Sequence, residues 1–403
     1  MLYRKIMRNE SETEILEPPE SAVLSAAENR PRSLAFLSRL TPEGIAWEFQ
    51  MPDGTVARAG SGAPSFRIEA ANSEGLAAMK SLNEVRIASA YISGDLKFEG
   101  DLFAALDLRS GLVDRFPLAR FWNDRVLPLF RGQVVCDKEW IQSHYNEDPH
   151  FYEMFLDQRY RCYSQAEFSS PTESLEDAME RKMNTAFEWA RLTPGCRVLD
   201  IGAGWGSFVE FAGDRGIDVT SLTISAVSER YVSDLIARKK LNCRVICEHF
   251  LEYRSTEPFD AIVNLGVTEH LPDYPATIRQ YEKLLKPGGY VYLDASAARA
   301  RQSTATAMLI YAGNGHFLDL AEYMAAVQNS SFDLIEVRNG SEDYRLTMQA
   351  WARNLDNARD LVIENFGERQ YRRFQLYLWA GTHSLATGGL EAYQMVLRKR
   401  SSR

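Results

Sequence analysis

Residues Val198 to Phe208 read VLDIGAGWGSF, and the fold turns on this stretch. Four residues suited to a buried strand run into glycines at alternate positions, Gly202, Gly204 and Gly206. Glycine accepts positive φ and lets the backbone come close to a ligand. A strand that feeds a glycine turn and then a helix sets backbone N–H groups and a helix N-terminus at the carboxyl edge of a parallel sheet, where doubly wound folds bind nucleotide-like ligands. A nicotinamide dinucleotide fits poorly. Its fingerprint wants glycine at the sixth position, here Ser207, and an acidic residue about 20 residues later, whereas the second strand ends Leu222-Thr223-Ile224-Ser225. Asp200, two residues before the first glycine, either fixes the turn or meets a cationic ligand.

On either side of this turn, strands alternate with longer helical stretches, the pattern of a parallel sheet with crossover helices. The periodicity predicts strands at 197–201, 218–223, 243–247, 259–264 and 290–295. Helices are expected near 207–215, 226–239 and 274–285, the last stopped by Pro287-Gly288-Gly289. Upstream, Ile45 to Phe49 and Ser65 to Ile68 alternate as strands do, with helices expected at 73–81 and 102–113. A chain of 403 residues exceeds the roughly 250 to 300 at which a single core stops growing, so two domains are expected. The fold class is α/β: a doubly wound, Rossmann-like domain over 140–403, preceded by a smaller mixed α+β domain over 31–130 and a polar lead-in over 1–30. Between them, RFPLARFWNDRVLPLFR (115–131) mixes four arginines with aromatic side chains, as an interdomain connector or a contact with membrane headgroups.

Composition excludes several classes. No apolar run approaches the roughly 20 residues needed to cross a bilayer, and the first residues turn acidic where a signal peptide needs its apolar stretch, so a cytoplasmic location is expected. A net charge of −9 disfavours nucleic acid as a partner. Five cysteines without a C-x-x-C pair and six histidines without H-E-x-x-H spacing indicate neither a disulfide framework nor a metal site.

VLDIGAGWGSF, LTIS, NLGVTEHL and LLKPGGYVYL, in that order, resemble S-adenosylmethionine-dependent methyltransferases, and within them the cyclopropane fatty acid synthase and mycolic acid methyltransferase family. SHYNEDPHFYEMFLD, YSQAEF, EDYRLTMQAW and ENFGERQYRRFQLYLWAG extend the resemblance. IASAYISGDLKFEGDLFAAL is similar to the small N-terminal domain of the longer bacterial members. The resemblance implies S-adenosylmethionine as cofactor, held by Tyr163 and Ser164, by the turn with Asp200, Gly202, Gly204 and Gly206, and by Thr223 and Ser225. Glu248 and His249 would lie beside the adenine. Ser228 stands where the family has a glutamine, which removes one ribose contact.

The same resemblance implies chemistry on an acyl chain, in which an alkene takes the methyl group and is left a carbocation. Aromatic faces and a dry pocket hold such a cation best, and Tyr371, Phe374, Tyr377 and Trp379 are candidates, or else ordinary helix core. In the family a bicarbonate ion then removes the proton that closes a cyclopropane ring. Of its four holders, Glu269 and Tyr344 survive here. The cysteine is Gln165, and the histidine is Asp294. A carboxylate in place of a donor repels the anion, by roughly 4 kcal/mol at about 4 Å and an effective dielectric near 20. Asp294 is then a candidate base beside Glu269, or simply a cap for the segment that follows it. His383, in WAGTHSL, is a second candidate base or a packing residue.

The resemblance implies a methyltransferase acting on an unsaturated phospholipid acyl chain at the inner membrane surface, and Gln165 and Asp294 shift the expected product to a methylated alkene, a methylene branch or a diene precursor of a furan. The alternatives are a cyclopropane synthase with a rebuilt base site, a small-molecule methyltransferase, and a cofactor-binding protein without catalysis. A homodimer is compatible with all of them.

Overall fold

The computed structural model describes residues 35–112, 148–298 and 317–401. The lead-in, the arginine-rich 115–131 segment and the first residues of SHYNEDPHFYEMFLD lie outside the described residues.

Two sheets organise the chain. The smaller has four strands, β1 (Trp47–Gln50), β2 (Val56–Ala59), β3 (Phe66–Ala70) and β4 (Leu96–Gly100), in the order β2-β1-β3-β4. Alternation builds it: Trp47 and Phe49 point into a core where Trp47 stacks on Phe66 at 5.7 Å. Glu48 faces the other way, between Arg58 and Arg67. The sequence patterns miss β2, β4 and helix Glu84–Ser93, whose ends are set by the Asn83 cap and the left-handed Gly94. The helix expected at 102–113 is one turn, Leu102–Ala105, continued by a tighter 3-10 stretch, Leu106–Gly111.

The larger sheet has seven strands: β5 (Arg197–Ile201), β6 (Asp218–Thr223), β7 (Arg244–Cys247), β8 (Phe259–Leu265), β9 (Leu285–Ala297), β10 (Phe332–Asn339) and β11 (Glu391–Lys399). Their order is β10-β11-β9-β8-β5-β6-β7. β5 to β9 run parallel, and β11 is antiparallel to both of its neighbours. Chain order reverses at β5, which sits between β6 and β8, so the crevice beyond its carboxyl end is where a doubly wound sheet takes its ligand.

The central strands of this sheet are buried on both faces, whereas the edge strands β7 and β10 are largely exposed. Val198 and Val219 pack with helix Leu175–Trp189 on one side, while Leu199, Ile201 and Leu222 pack with helix Tyr274–Leu284 on the other. The strands and helices expected around the glycine turn are present with boundaries shifted by a few residues. One difference is instructive: Pro287-Gly288-Gly289 does end a helix, at Leu284, but β9 already begins at Leu285. Pairing jumps from Phe259↔Leu285 to Ala261↔Tyr290, so the Pro-Gly-Gly stretch is accommodated as an irregularity within the strand.

The four-stranded unit rests on helix Glu368–Ala386 of the larger one. Arg372 donates to the carbonyls of Tyr91 and Leu96 at 3.1 Å, Tyr91 bonds Gln375, and Arg109 donates to Ser384.

Candidate active site

The glycine turn is built as its sequence requires. Gly202, Gly204 and Gly206 all have positive φ (92°, 50° and 81°). A Cβ on Gly202 would lie 2.4 Å from the Val267 methyl, so only glycine lets the loop after β8 close over the loop after β5. Gly206 caps helix Ser207–Gly213, and Ser225 caps helix Ala226–Lys239 by accepting from the Ser228 amide. The Ser228 hydroxyl reaches back 2.7 Å to the Gly204 carbonyl. The missing glutamine is thus replaced by a tie that holds the turn.

A cleft opens at this edge, lined by Gly202 and Gly204, by Thr223 at the end of β6, by Glu248 and His249 after β7, and by Val267 and His270 after β8. Phe250, Leu222 and Leu271 complete apolar walls. His249 is buried, and its Nδ1 accepts from the Leu251 amide at 3.2 Å. Glycines that allow close backbone approach, apolar walls and a carboxylate at the rim fit an adenosyl group. Asp200 does not face this cleft as a partner for a cationic ligand. It is buried and takes the Ser221 hydroxyl at 2.5 Å across the β5–β6 pair, and burial pushes its carboxyl up to about 7 against that bond. Of its two sequence readings, fixing the turn is the one the contacts match.

Beside the cleft lies a second, largely buried cluster assembled from five segments. The first is Tyr163-Ser164-Gln165, pinned before by Asp157, which accepts the Cys162 amide at 2.8 Å, and after by Thr347, whose hydroxyl takes the Ala166 amide at 2.9 Å. Tyr163 packs on Tyr152 and Trp351, and its carbonyl lies 4.0 Å from the Cβ position of Gly266, just beyond β8. Glu269 follows on a short 3-10 turn; its Oε1 accepts from the Ser296 amide (3.2 Å) and hydroxyl (2.8 Å), while Oε2 is buried without a partner. Asp294 comes from β9. Tyr344 comes from helix Ser341–Asn357, whose preceding Gly340 makes room for Gln165. Both amide atoms of Gln165 are buried and have no partner among the described residues.

The fifth segment supplies a residue that the motifs did not reveal. Lys182 is completely buried, with Nζ 2.5 Å from Ser164 Oγ, 3.4 Å from Cys162 Sγ and 3.2 Å from Asp294 Oδ2. The last contact has ion-pair distance without hydrogen-bond alignment. At an effective dielectric of about 20, opposite charges this close attract by roughly 5 kcal/mol, which offsets much of the cost of burying either one. Burial pulls the ammonium down, but Asp294 and Cys162 outweigh it and Lys182 is held charged. Burial lifts Asp294 to about 6, Lys182 opposes the lift and Glu269 adds to it. Glu269 is raised by burial, and Tyr344 likewise, with Tyr377, Glu269 and Asp294 adding to the latter. The expected repulsion at Asp294 is therefore answered by a counter-ion, and Ser164 spends its hydroxyl on that same ammonium. A signal for Lys182 did exist: Leu175, Ala178, Met179, Lys182, Met183 and Ala186 form one buried helical stripe with a single cation in it.

Not every candidate joins this cluster. His383 Nε2 lies 2.7 Å from Asp107, and its ring packs on Phe103 at 5.3 Å, both from the four-stranded unit. It serves the contact between the two units because its turn of helix Glu368–Ala386 faces outward to them. The aromatic stripe on that helix divides. Tyr371 and Trp379 both donate to Asp356, Phe374 packs on Phe151 at 4.6 Å, and Tyr377 is the one that couples to Tyr344.

Comparison with known proteins agrees with this geometry. Residues 134–395 match the family described as mycolic acid cyclopropane synthetase. The chain is 26% identical over 335 residues to a sphingolipid C9-methyltransferase of Komagataella phaffii, covering 77% of this chain and 68% of that protein. It is 25% identical over 311 residues to the cyclopropane-fatty-acyl-phospholipid synthase of Escherichia coli, covering 74% and 78%. The cyclopropane synthase MmaA2 from Mycobacterium tuberculosis superposes with a TM-score of 0.60 at 25% identity, covering 65% of this chain and 98% of that one. With a glycine edge shaped for an adenosyl group and a family match across both the edge and the buried cluster, the chain belongs to the mycolic acid cyclopropane synthetase family of S-adenosylmethionine-dependent methyltransferases.

Proposed function

We propose that this chain methylates a carbon of a double bond in an unsaturated acyl chain, carried by a phospholipid or a related membrane lipid, and that its product keeps an alkene in place of a cyclopropane ring. The observation that carries the reading is Glu269, whose Oε1 is anchored by Ser296 while Oε2 stands buried and unpartnered in a cluster with Gln165, Asp294 and Tyr344. The names of relatives from both a C9-methyltransferase and a cyclopropane synthase support lipid carbon as the acceptor.

When bound, S-adenosylmethionine supplies an electrophilic methyl group on a positively charged sulfur. Gly202, Gly204, Thr223, Ser225, Glu248 and His249 would seat it, with Tyr163 approaching from the opposite side. The alkene would give its π pair to that methyl while the C–S pair leaves with the sulfur, so that one C–C bond forms, one C–S bond breaks with release of S-adenosylhomocysteine, and the neighbouring carbon is left cationic. Glu269 Oε2 then accepts a proton from a carbon adjacent to the cation, and the C–H pair becomes the new double bond. Burial supports this role, because a carboxylate raised above its ordinary range is a stronger base and a dry pocket keeps water from the cation. The aromatic ring of Tyr377, with that of Tyr344, offers a face to the cation.

Bicarbonate has a poor home in this cluster even with Lys182 present. Two carboxylates and one ammonium leave the cluster with one net negative charge while Glu269 is ionised, so a further anion enters against repulsion. Gln165, Asp294 and Lys182 together favour a built-in carboxylate over a diffusible base. Among the described residues no helix is long and apolar enough to cross a membrane, so the acyl chain would be met by a peripheral enzyme, with the 31–130 unit as a lipid-facing domain.

Purified protein incubated with methyl-labelled cofactor and a panel of mono-unsaturated and conjugated-diene phospholipids and an unsaturated sphingolipid tests the reading. Vinylic protons beside a new methyl group in the lipid NMR spectrum are expected. Cyclopropyl protons as the main new signal would sink it.

A further inference from the structure

The mechanism proposed above uses one carboxylate of a cluster that contains two, and the structure offers a reason for the choice. Asp294 and Glu269 are both buried and interact electrostatically, but among the described residues only Asp294 has a cation. Lys182 has three donors and three acceptors within reach, Ser164, Cys162 and Asp294, of which Asp294 alone carries the neutralising carboxylate. A proton placed on Asp294 would strand a buried ammonium among neutral partners, which is a costly state. A proton placed on Glu269 strands nothing, since its anchor, Ser296, can stay bonded to the carboxyl in either form.

We infer that Lys182 is a positioning residue that selects the proton acceptor: by holding Asp294 as its counter-ion, it withdraws that carboxylate from acid–base chemistry and leaves Glu269 to receive the proton. This rests on the deprotonation step of the proposed function. The groups facing the pair are Glu269, Cys162, Ser164 and Tyr344, with Tyr292 beside Asp294 on β9 and Asp200 sensing Lys182 from β5.

The experiment is a second-site rescue. Glu269→Gln should lose methyl transfer to phospholipid vesicles about a thousandfold, the scale of a general base. Adding Lys182→Met frees Asp294, and E269Q/K182M should regain at least tenfold over E269Q, with an acid limb displaced to higher pH because a buried carboxylate without a cation holds its proton more tightly. Rates at or below E269Q, in protein that still binds S-adenosylhomocysteine, would overturn the inference; so would finding D294N as inactive as E269Q while its binding and melting are intact. Lys182→Gln, which keeps a donor toward Ser164, replaces Lys182→Met if the latter does not fold. If the wild-type chain methylates no acyl lipid, the proposed function fails and the pairing is judged by melting alone. K182M/D294N should then melt above D294N, because the stranded ammonium is gone, and melting at or below it would refute the counter-ion role.

Discussion

The glycine edge and the carboxylate cluster are neighbours built by opposite means. At the edge the chain uses backbone: three glycines with positive φ, two helix caps and the ends of β5 and β6, within Val198–Ser228. In the cluster it uses side chains from 162–165, Lys182, Glu269, Asp294–Ser296 and Tyr344, segments that only the finished fold brings together. A site made of backbone leaves its record in glycine spacing. A site made of side chains is read one contributor at a time, and a contributor outside any motif, such as Lys182, looks ordinary in its own segment.

Substitutions can break that contrast, and the largest effect is expected in the cluster. Glu269→Gln should lower single-turnover methyl transfer by roughly a hundredfold to ten-thousandfold while S-adenosylhomocysteine affinity by calorimetry stays within about threefold. Next is Gly202→Ala, which introduces a side chain at φ 92° and 2.4 Å from Val267. Strain of about 1 to 3 kcal/mol should weaken cofactor affinity by roughly ten- to a hundredfold, with smaller loss of rate at saturation. If instead both variants lost affinity equally, the two regions would be one unit.

A pH measurement sharpens the comparison at intermediate size. Asp200, pushed up to about 7 by burial, binds its proton more tightly in the folded than in the unfolded chain. Folded stability should therefore fall as pH rises from about 4 toward 7, with an upper slope near 1.4 kcal/mol per pH unit for one proton, and Asp200→Asn should flatten that part of a urea-denaturation series. Turnover moves the other way. Glu269 must be ionised to accept a proton and burial raises it, so the rate should decline as pH drops through a midpoint above the ordinary glutamate value. The smallest effect belongs to Asp107→Asn, at the His383 contact: Asp107 is 44% exposed, so stability should change by no more than about 1 kcal/mol. A collapse of turnover in that variant, with melting unchanged, would restore His383 to the list of bases.

Much of the larger sheet was legible, because strand, turn and helix signals there agree with each other over Arg197 to Ala297. Less of the four-stranded unit was. β2 and β4 are four and five residues long: β2 turns only two alanines, Ala57 and Ala59, to the core and β4 only Leu96 and Phe98, too few residues to mark a strand by alternation. In the site, Glu269, Asp294, Gln165 and Tyr344 were read from motif positions and do come together. Lys182 was not, since a lysine in a helix ordinarily means solvent, and the meaning of Asp294 changed with it. For His383 the sequence left a base and a packing residue both open, and the contact with Asp107, distant in sequence, matches the second.

The placement of β11 also bears on folding. It is the last of the described strands to be synthesised, yet it lies inside the sheet, with Gln394 directly opposite Asp294 on β9. The strand that bears Asp294 therefore gains its second neighbour from a segment nearly a hundred residues further along the chain, so ordering of this edge depends on a long-range pairing that β5 to β8 do not need.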